Sequence, residues 1–405
     1  MKKFSVAFVA VAALFGLSVW GLTACSSKQD EGLRNLHLEK VEDYLYTVDF
    51  TDYEEIYADE LSDDFETYFA NLFTEKGYVA GGCAGVTNGA IRGRNYDWTY
   101  DDMAYFVVKT SANKGRHATL GVSGSIIQLT KDTVESGTWN DAYEMLPFIT
   151  LDGVNDAGVC CQILVVPTAE GEVTTGTNPD GTDLFALMVT RYVLDYAGSV
   201  DEAVALLQDR NIYMPHIEGG MVQEFHWMIS DAEKCVVVEC VDNKLSVLED
   251  ERIVTNFYLT DFDKAQETLP EYPEGIERYN YLVEHFDEGA TTEGMMGLLQ
   301  AINYSNCYDT SVVPFWYSEY CGITEKYGSL NSSNMGDPDL SDGDLSKAGA
   351  YQTFIENSIQ AFNTGRAKAG ESDAWITVFS SVYDTENLTL DICVQEGTEV
   401  HSYSL

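Results

Sequence analysis

The chain has 405 residues, enough for one large domain or two ordinary ones, and its 45% hydrophobic content is ample for a packed core. Its 66 acidic side chains against 23 basic ones give a formal charge of −43, which repels nucleic acid and anionic membrane surfaces and sets polyanion binding aside. The acidic surplus reads as the solvated surface of a soluble exported protein.

The first predicted element is an export signal. Residues 1–24 place Lys2 and Lys3 before a single apolar run, and the chain turns polar after Leu22-Thr23-Ala24-Cys25. Small residues leading into a cysteine are similar to the bacterial lipobox, so a signal peptide over 1–24 and lipidation of Cys25 are expected. No later apolar run is long enough to span a bilayer, and membrane contact is expected only through that lipid. Residues 25–82 are rich in Asp, Glu and Tyr: strand-like VEDYLYTVDF comes first, then a helical stretch. Their apolar content is too low for a separate stable domain, so they are expected to form an acidic prosegment.

From Ala80 the texture changes to short strands with Gly and Asn-Gly turns. In GGCAGVTNGAIRGRNYDW, residues 81–98, Asn88-Gly89 is a strong hairpin signal; with these two as the loop, Thr87 faces Ala90 and Cys83 faces Arg94. Facing residues have Cβ atoms about 5 Å apart, a range at which a guanidinium favours a thiolate. VVKT, TLGVSGSIIQLT and FITLDGVNDAGVCCQILVVP continue as strands. TDLFALMVTRYVLDYAG has helical spacing, and Ser199 with Glu202 is a capping-box start for the next helix. FHWMIS, CVVVEC and KLSVLE read as a meander; GIERYNYLVEHF and TEGMMGLLQAI read as helices, residues 328–345 as a loop, and WITVFSSVYDTENLTLDICVQEG as two final strands. Runs of strands flanked by runs of helices argue for an α+β layered domain.

The nine cysteines show neither C-x-x-C nor His-paired metal spacing. Cys160, Cys235, Cys240 and Cys393 lie in apolar runs and are expected to be buried side chains; Cys307 and Cys321 are the one pair considered for a disulfide. None of the six histidines lies in the hairpin, H-E-x-x-H is absent, and Gly121–Ser125 misses G-x-S-x-G. A nucleophilic Cys83 therefore needs another base. Cleavage between Gly82 and Cys83 would supply one in the freed α-amine.

The segment resembles the choloylglycine hydrolase and linear amide C–N hydrolase group, which includes bile salt hydrolases, penicillin V acylases and acid-ceramidase-like enzymes. The resemblance is carried by Cys83 and Gly93-Arg94-Asn95-Tyr96-Asp97, by Asp152-Gly153-Val154-Asn155-Asp156-Ala157-Gly158, by His226-Trp227-Met228-Ile229-Ser230-Asp231, and by Val254-Thr255-Asn256. Arg278 is similar in order and setting to the family's distal arginine. The resemblance implies a four-layer αββα sandwich of N-terminal nucleophile hydrolase type over residues 83–405, and no metal or organic cofactor. It further implies that Cys83 is nucleophile and, through its amine, base; that Arg94 supports the thiolate; that Asp97 holds the amine; that Asn155 and Asn256 are oxyanion donors; and that Arg278 completes the electrostatic frame. His226 and Trp227 are assigned to packing. The implied substrate is a small N-acyl amide. An acyltransferase using the same acyl-enzyme, and an inactive binding lipoprotein on the same fold, stay open, as do retention of the prosegment after the cut and association of copies into a homo-oligomer.

Overall fold

Strands buried on both faces generate most of the described architecture. The computed structural model describes residues 36–51, 83–99, 103–124, 129–140, 142–167, 177–213, 223–241, 243–261, 273–303, 375–394 and 399–405. The export signal, Cys25, the helical stretch before Gly82, Gly82 itself, the 328–345 loop, Cys307 and Cys321 lie outside them. In chain order the elements are β1 (Glu39–Glu42), β2 (Leu45–Phe50), β3 (Cys83–Asn88), β4 (Ile91–Thr99), β5 (Tyr105–Thr110), β6 (Thr119–Gly124), α1 (Lys131–Glu135), α2 (Ala142–Met145), β7 (Thr150–Asn155), β8 (Cys160–Pro167), β9 (Thr182–Phe185), α3 (Val189–Tyr196) and α4 (Val200–Gln208). They continue with β10 (Arg210–Tyr213), β11 (Gln223–Ser230), β12 (Cys235–Val241), β13 (Lys244–Glu249), β14 (Ile253–Val254), α5 (Pro273–Glu284), α6 (Thr292–Ala301), β15 (Trp375–Asp384), β16 (Thr389–Val394) and β17 (His401–Ser404).

Two large sheets result, a nine-stranded one ordered β1-β2-β5-β6-β7-β8-β11-β12-β13 and a six-stranded one ordered β14-β3-β4-β15-β16-β17. They face each other where β3 lies against β8 and β16 against β6. Helix α3 covers the other side of β7 and β8, while α5 and α6 cover β3, β4 and β15. The layers run helix, sheet, sheet, helix: the α+β, αββα sandwich that the sequence leads one to expect. Every residue of β6 and β7 is buried, as strands covered on both faces must be.

Helix α4 is capped as expected at its start: Ser199 Oγ accepts the Glu202 N–H at 3.2 Å. Glu202 reaches back one residue further than in a standard box, accepting the Gly198 N–H at 2.8 Å. The stretch from Thr182 is not one helix. Thr182–Phe185 pairs in parallel with β10, and the helix proper begins at Val189; pairing with a strand beyond the local window overrides the helical spacing of Leu184 and Leu187.

The acidic segment before Cys83 is not separate from the fold. Strand β2 pairs with β5 along its whole length, and Leu45, Tyr46, Val48 and Phe50 are buried. Cys160, Cys235, Cys240 and Cys393 are buried, as expected.

Candidate active site

The β3–β4 hairpin sets the site. Its observed register pairs Asn88 with Ile91, Gly85 with Arg94 and Cys83 with Tyr96, so Cys83 does not face Arg94 directly as expected. The two-residue loop is Gly89-Ala90. Gly89 has φ +61°, while Ala90 is not among the positive-φ residues, the sign pattern of a turn with Gly at its first central position. The pairing has slipped by two residues, and because side chains alternate with period two, Cys83 and Arg94 still share a face. They are diagonal neighbours, within reach of a long side chain. Arg94 Nη2 lies 3.9 Å from Cys83 Sγ.

Arg94 is 1% exposed and held from several directions. Its Nη1 donates to Leu151 O at 2.5 Å and to Asp152 Oδ2 at 3.2 Å, and its guanidinium carbon lies 4.9 Å from the Tyr96 ring centre. The other Asp152 oxygen accepts the Tyr383 hydroxyl. Burial opposes the Arg94 charge, but Cys83 and Asp152 beside it hold the guanidinium above its ordinary range. Burial pushes the Asp152 carboxyl up, against the pull of Arg94 and Tyr383. Neither Asp152 nor Tyr383 was assigned a role from sequence, although Asp152 opens the D-G-x-N motif. At the far end of the hairpin Arg92 donates to Gly89 O at 2.5 Å and also to Ser230 Oγ and Asp231 O, tying the turn to β11.

The backbone nitrogen of Cys83 is held by Asn256, whose Oδ1 accepts its N–H at 2.5 Å. Asn256 Nδ2 donates to Val165 O at 2.7 Å. One bond needs an acceptor and the other a donor, so the two together fix which way the amide points. Asn256 follows β14, whose pairing of Val254 with Gly85 carries it alongside Cys83.

Asp97 stands elsewhere than expected. It is three residues from Arg94 on one strand, which places it on the opposite face, and no hydrogen bond joins it to Cys83. Its carboxylate forms a fully buried ion pair with Arg278 of α5 and accepts the Thr377 hydroxyl at 2.6 Å. Burial raises the Asp97 carboxyl, and Arg278 and Thr377 pull it back down. Arg278 is thereby an internal tie between helix and sheet. Asn155 is not brought to the cluster. Its Nδ2 donates to Leu194 O at 3.1 Å and Ala197 O at 2.7 Å, and its Oδ1 accepts the N–H groups of Ala157 and Val159. Both amide protons are committed to the end of α3, which corrects the oxyanion role to that of a loop staple.

Two further buried polar groups lie in the nine-stranded sheet, on β8 and β11. Gln162 pairs in register with Asp152 on one side and Met228 on the other, and both of its amide atoms lack a partner. Gly85 makes room for it: a Cβ on residue 85 would stand 2.9 Å from Gln162 Oε1. His226 lies 3.3 Å from Glu239, which also accepts the N–H groups of Leu259 and Thr260 and the Thr260 hydroxyl. Burial would raise the Glu239 carboxyl, but these donors hold it below the ordinary range. His226 thus packs within a polar pair that anchors the segment just after Asn256. Among the described residues no group of three or more His, Cys, Asp or Glu gathers as metal ligands would, and no helix is long and apolar enough to cross a membrane.

Comparison with known proteins gives a match over residues 87–298 to the linear amide C–N hydrolases, choloylglycine hydrolase family. Among solved structures the chain is similar to a variant of the conjugated bile acid hydrolase of Clostridium perfringens, with 18% identity, 80% of this chain and 92% of that one covered, and a TM-score of 0.41. A second variant of the same hydrolase gives 18%, the same coverage and 0.40. The penicillin V acylase of Agrobacterium tumefaciens gives 14% identity, 80% and 86% coverage, and 0.35. No curated protein matches.

Proposed function

We propose, since the chain belongs to the choloylglycine hydrolase family of linear amide C–N hydrolases, that it cleaves the amide of a small N-acyl amine or N-acyl amino acid with Cys83 as an N-terminal nucleophile. In the activating step the Cys83 thiolate attacks the Gly82 carbonyl carbon, the C–N bond breaks, and the departing nitrogen takes up protons to become the Cys83 amine. Water then hydrolyses the Gly82 thioester and restores the thiol.

Turnover repeats this chemistry on substrate. The amine takes the thiol proton, sulfur attacks the substrate carbonyl, and the leaving nitrogen takes a proton from the Cys83 ammonium as its bond breaks. Water adds to the thioester and releases the acid. Arg94 stabilises negative charge on the sulfur. Asn256 holds the Cys83 nitrogen through its carbonyl, and the second proton of its Nδ2 is free to meet the developing oxyanion. Asp97 and Arg278 brace β4 from behind. Export through residues 1–24 and a lipid on Cys25 would place the enzyme on the outer face of a bacterial membrane.

The observation that carries this reading is the convergence on one buried residue of a guanidinium at the sulfur and an amide at the nitrogen. The test is intact mass of wild type and Cys83→Ala, together with amine release from a panel of N-acyl amines and N-acyl amino acids, with and without acceptor amines. Wild type is expected to begin at Cys83 and to turn over, and Cys83→Ala to keep residues 26–82 and be inert. An active wild type that keeps residues 26–82 refutes the free-amine mechanism; acyl transfer in place of acid release makes the enzyme an acyltransferase.

A further inference from the structure

We infer that the segment ahead of the cut is a permanent subunit: after cleavage before Cys83, residues 36–50 stay in the nine-stranded sheet and the mature enzyme is two chains. The inference rests on the processing proposed above.

Strand β2 lies between β1 and β5 in that sheet, so it is an interior strand. Its register with β5 is unbroken from Leu45 opposite Tyr105 to Phe50 opposite Thr110. The ladder is extended at each end, where the Tyr105 N–H donates to Tyr44 O at 2.7 Å and the Ser111 N–H to Phe50 O at 3.1 Å. Leu45 and Val48 are fully buried, and the Tyr46 ring stacks on Phe106 with centroids 5.6 Å apart.

Charged contacts around the rim point the same way. Lys40 meets Glu135 at 2.7 Å and Asp43 meets Lys131 at 2.6 Å, joining the β1–β2 hairpin to α1. Glu42 lies 3.2 Å from His401 of β17, which belongs to the other sheet. None of these bonds involves residues 52–82, so a cut at Cys83 breaks none of them. Loss of the segment would turn β5 into an unpaired edge and strip cover from Phe106, a state folded proteins avoid. A covalent anchor on the N-terminal chain would then hold the catalytic chain through the sheet alone.

The test uses residues 26–405 in two samples. One is wild type, cut by its own chemistry; the other is Cys83→Ala with a site-specific protease sequence placed within residues 55–75 and cut by that protease. Each is passed through native gel filtration, and the peak is identified by mass in denaturant. Both chains are expected in one peak in equal amounts, separating only in denaturant. An N-terminal chain that elutes apart from a still folded 83–405 chain overturns the inference. If wild type stays uncut while the protease-cut sample keeps its chains together, the processing reading fails and with it the two-chain mature enzyme, and only the retention of residues 36–50 in the sheet stands. In the cut protein Val48→Asp is expected to speed loss of the N-terminal chain about tenfold or more, since it replaces a buried apolar side chain. Asp49→Asn, at an exposed position of the same strand, leaves the rate unchanged.

Discussion

Asn256→Asp is isosteric, and the structure predicts that its effect depends on pH. The introduced carboxyl keeps an oxygen for the Cys83 N–H but turns the other toward Val165 O, where the amide now donates. Ionised, it leaves that carbonyl unpaired and places a charge at a site only 6% exposed; protonated, its O–H restores the lost bond. Burial of this kind raises a carboxyl by about 3 units, worth about 4 kcal/mol. A folded-state value raised above the unfolded one means that stability is fully present below about pH 4 and is lost as pH rises through the folded value. The deficit against the chain that keeps Asn256 should therefore be near zero at pH 4, grow by about 1.4 kcal/mol per pH unit, and level off near 4 kcal/mol. Asn256→Ala, which leaves both backbone groups unpaired, should lose about 2–6 kcal/mol at every pH. Urea unfolding of the two variants between pH 4 and 8, each made in the uncut Cys83→Ala background and compared with Cys83→Ala alone, separates these patterns, because in the cut enzyme the Cys83 ammonium would pair with the introduced carboxylate. With Cys83 in place, removal of the amide donor should also lower kcat about 10²- to 10³-fold above the titration. A flat deficit for Asn256→Asp, or none at pH 7, would refute the arrangement in which the amide bridges Cys83 and Val165.

Asp97→Asn strips the charge from a fully buried pair and should cost about 3–5 kcal/mol in denaturant unfolding. Adding Arg278→Met should recover part of that loss, with a coupling of about 1–3 kcal/mol; strict additivity would mean the two side chains do not interact. Gln162→Met should stabilise by about 1–3 kcal/mol because it removes a buried amide with no partner, and a destabilised variant would show that the amide is satisfied in solution. Asp231 accepts the N–H groups of Val200, Glu233 and Lys234; burial opposes its charge, and these donors hold its carboxyl below the ordinary range. Its contribution is thus present above about pH 4 and lost as pH falls through the lowered value. Asp231→Asn should cost about 1 kcal/mol at pH 7, and the gap from wild type should close in acid; a gap that widens below pH 4 reverses the sign.

How far the site was legible in the sequence follows from the range of the interactions that build it. The Cys83–Arg94 approach was read from the wrong pairing, yet a register error of two preserves the face while an error of one would have put the guanidinium behind the sheet. The same parity separates Asp97 from Arg94, so their division between the two faces of β4 was present in the spacing. Asn155 and Asn256 both end strands and look alike locally. The difference is that Asn155 Oδ1 closes on Ala157 and Val159 while its Nδ2 reaches Leu194 and Ala197, 39 and 42 residues on, whereas the partners of Asn256 are Val165 and Cys83, 91 and 173 residues away. No local pattern distinguishes a staple from a long-range bridge when both use the same amide. The acidic segment shows the same limit. The strand-like pattern of VEDYLYTVDF made β2 recognisable, but its home is β5, sixty residues on and past the point where the chain is proposed to be cut. Composition counted too little apolar surface for a domain, and that count was sound; a strand inside another domain's sheet needs only enough to fill one row.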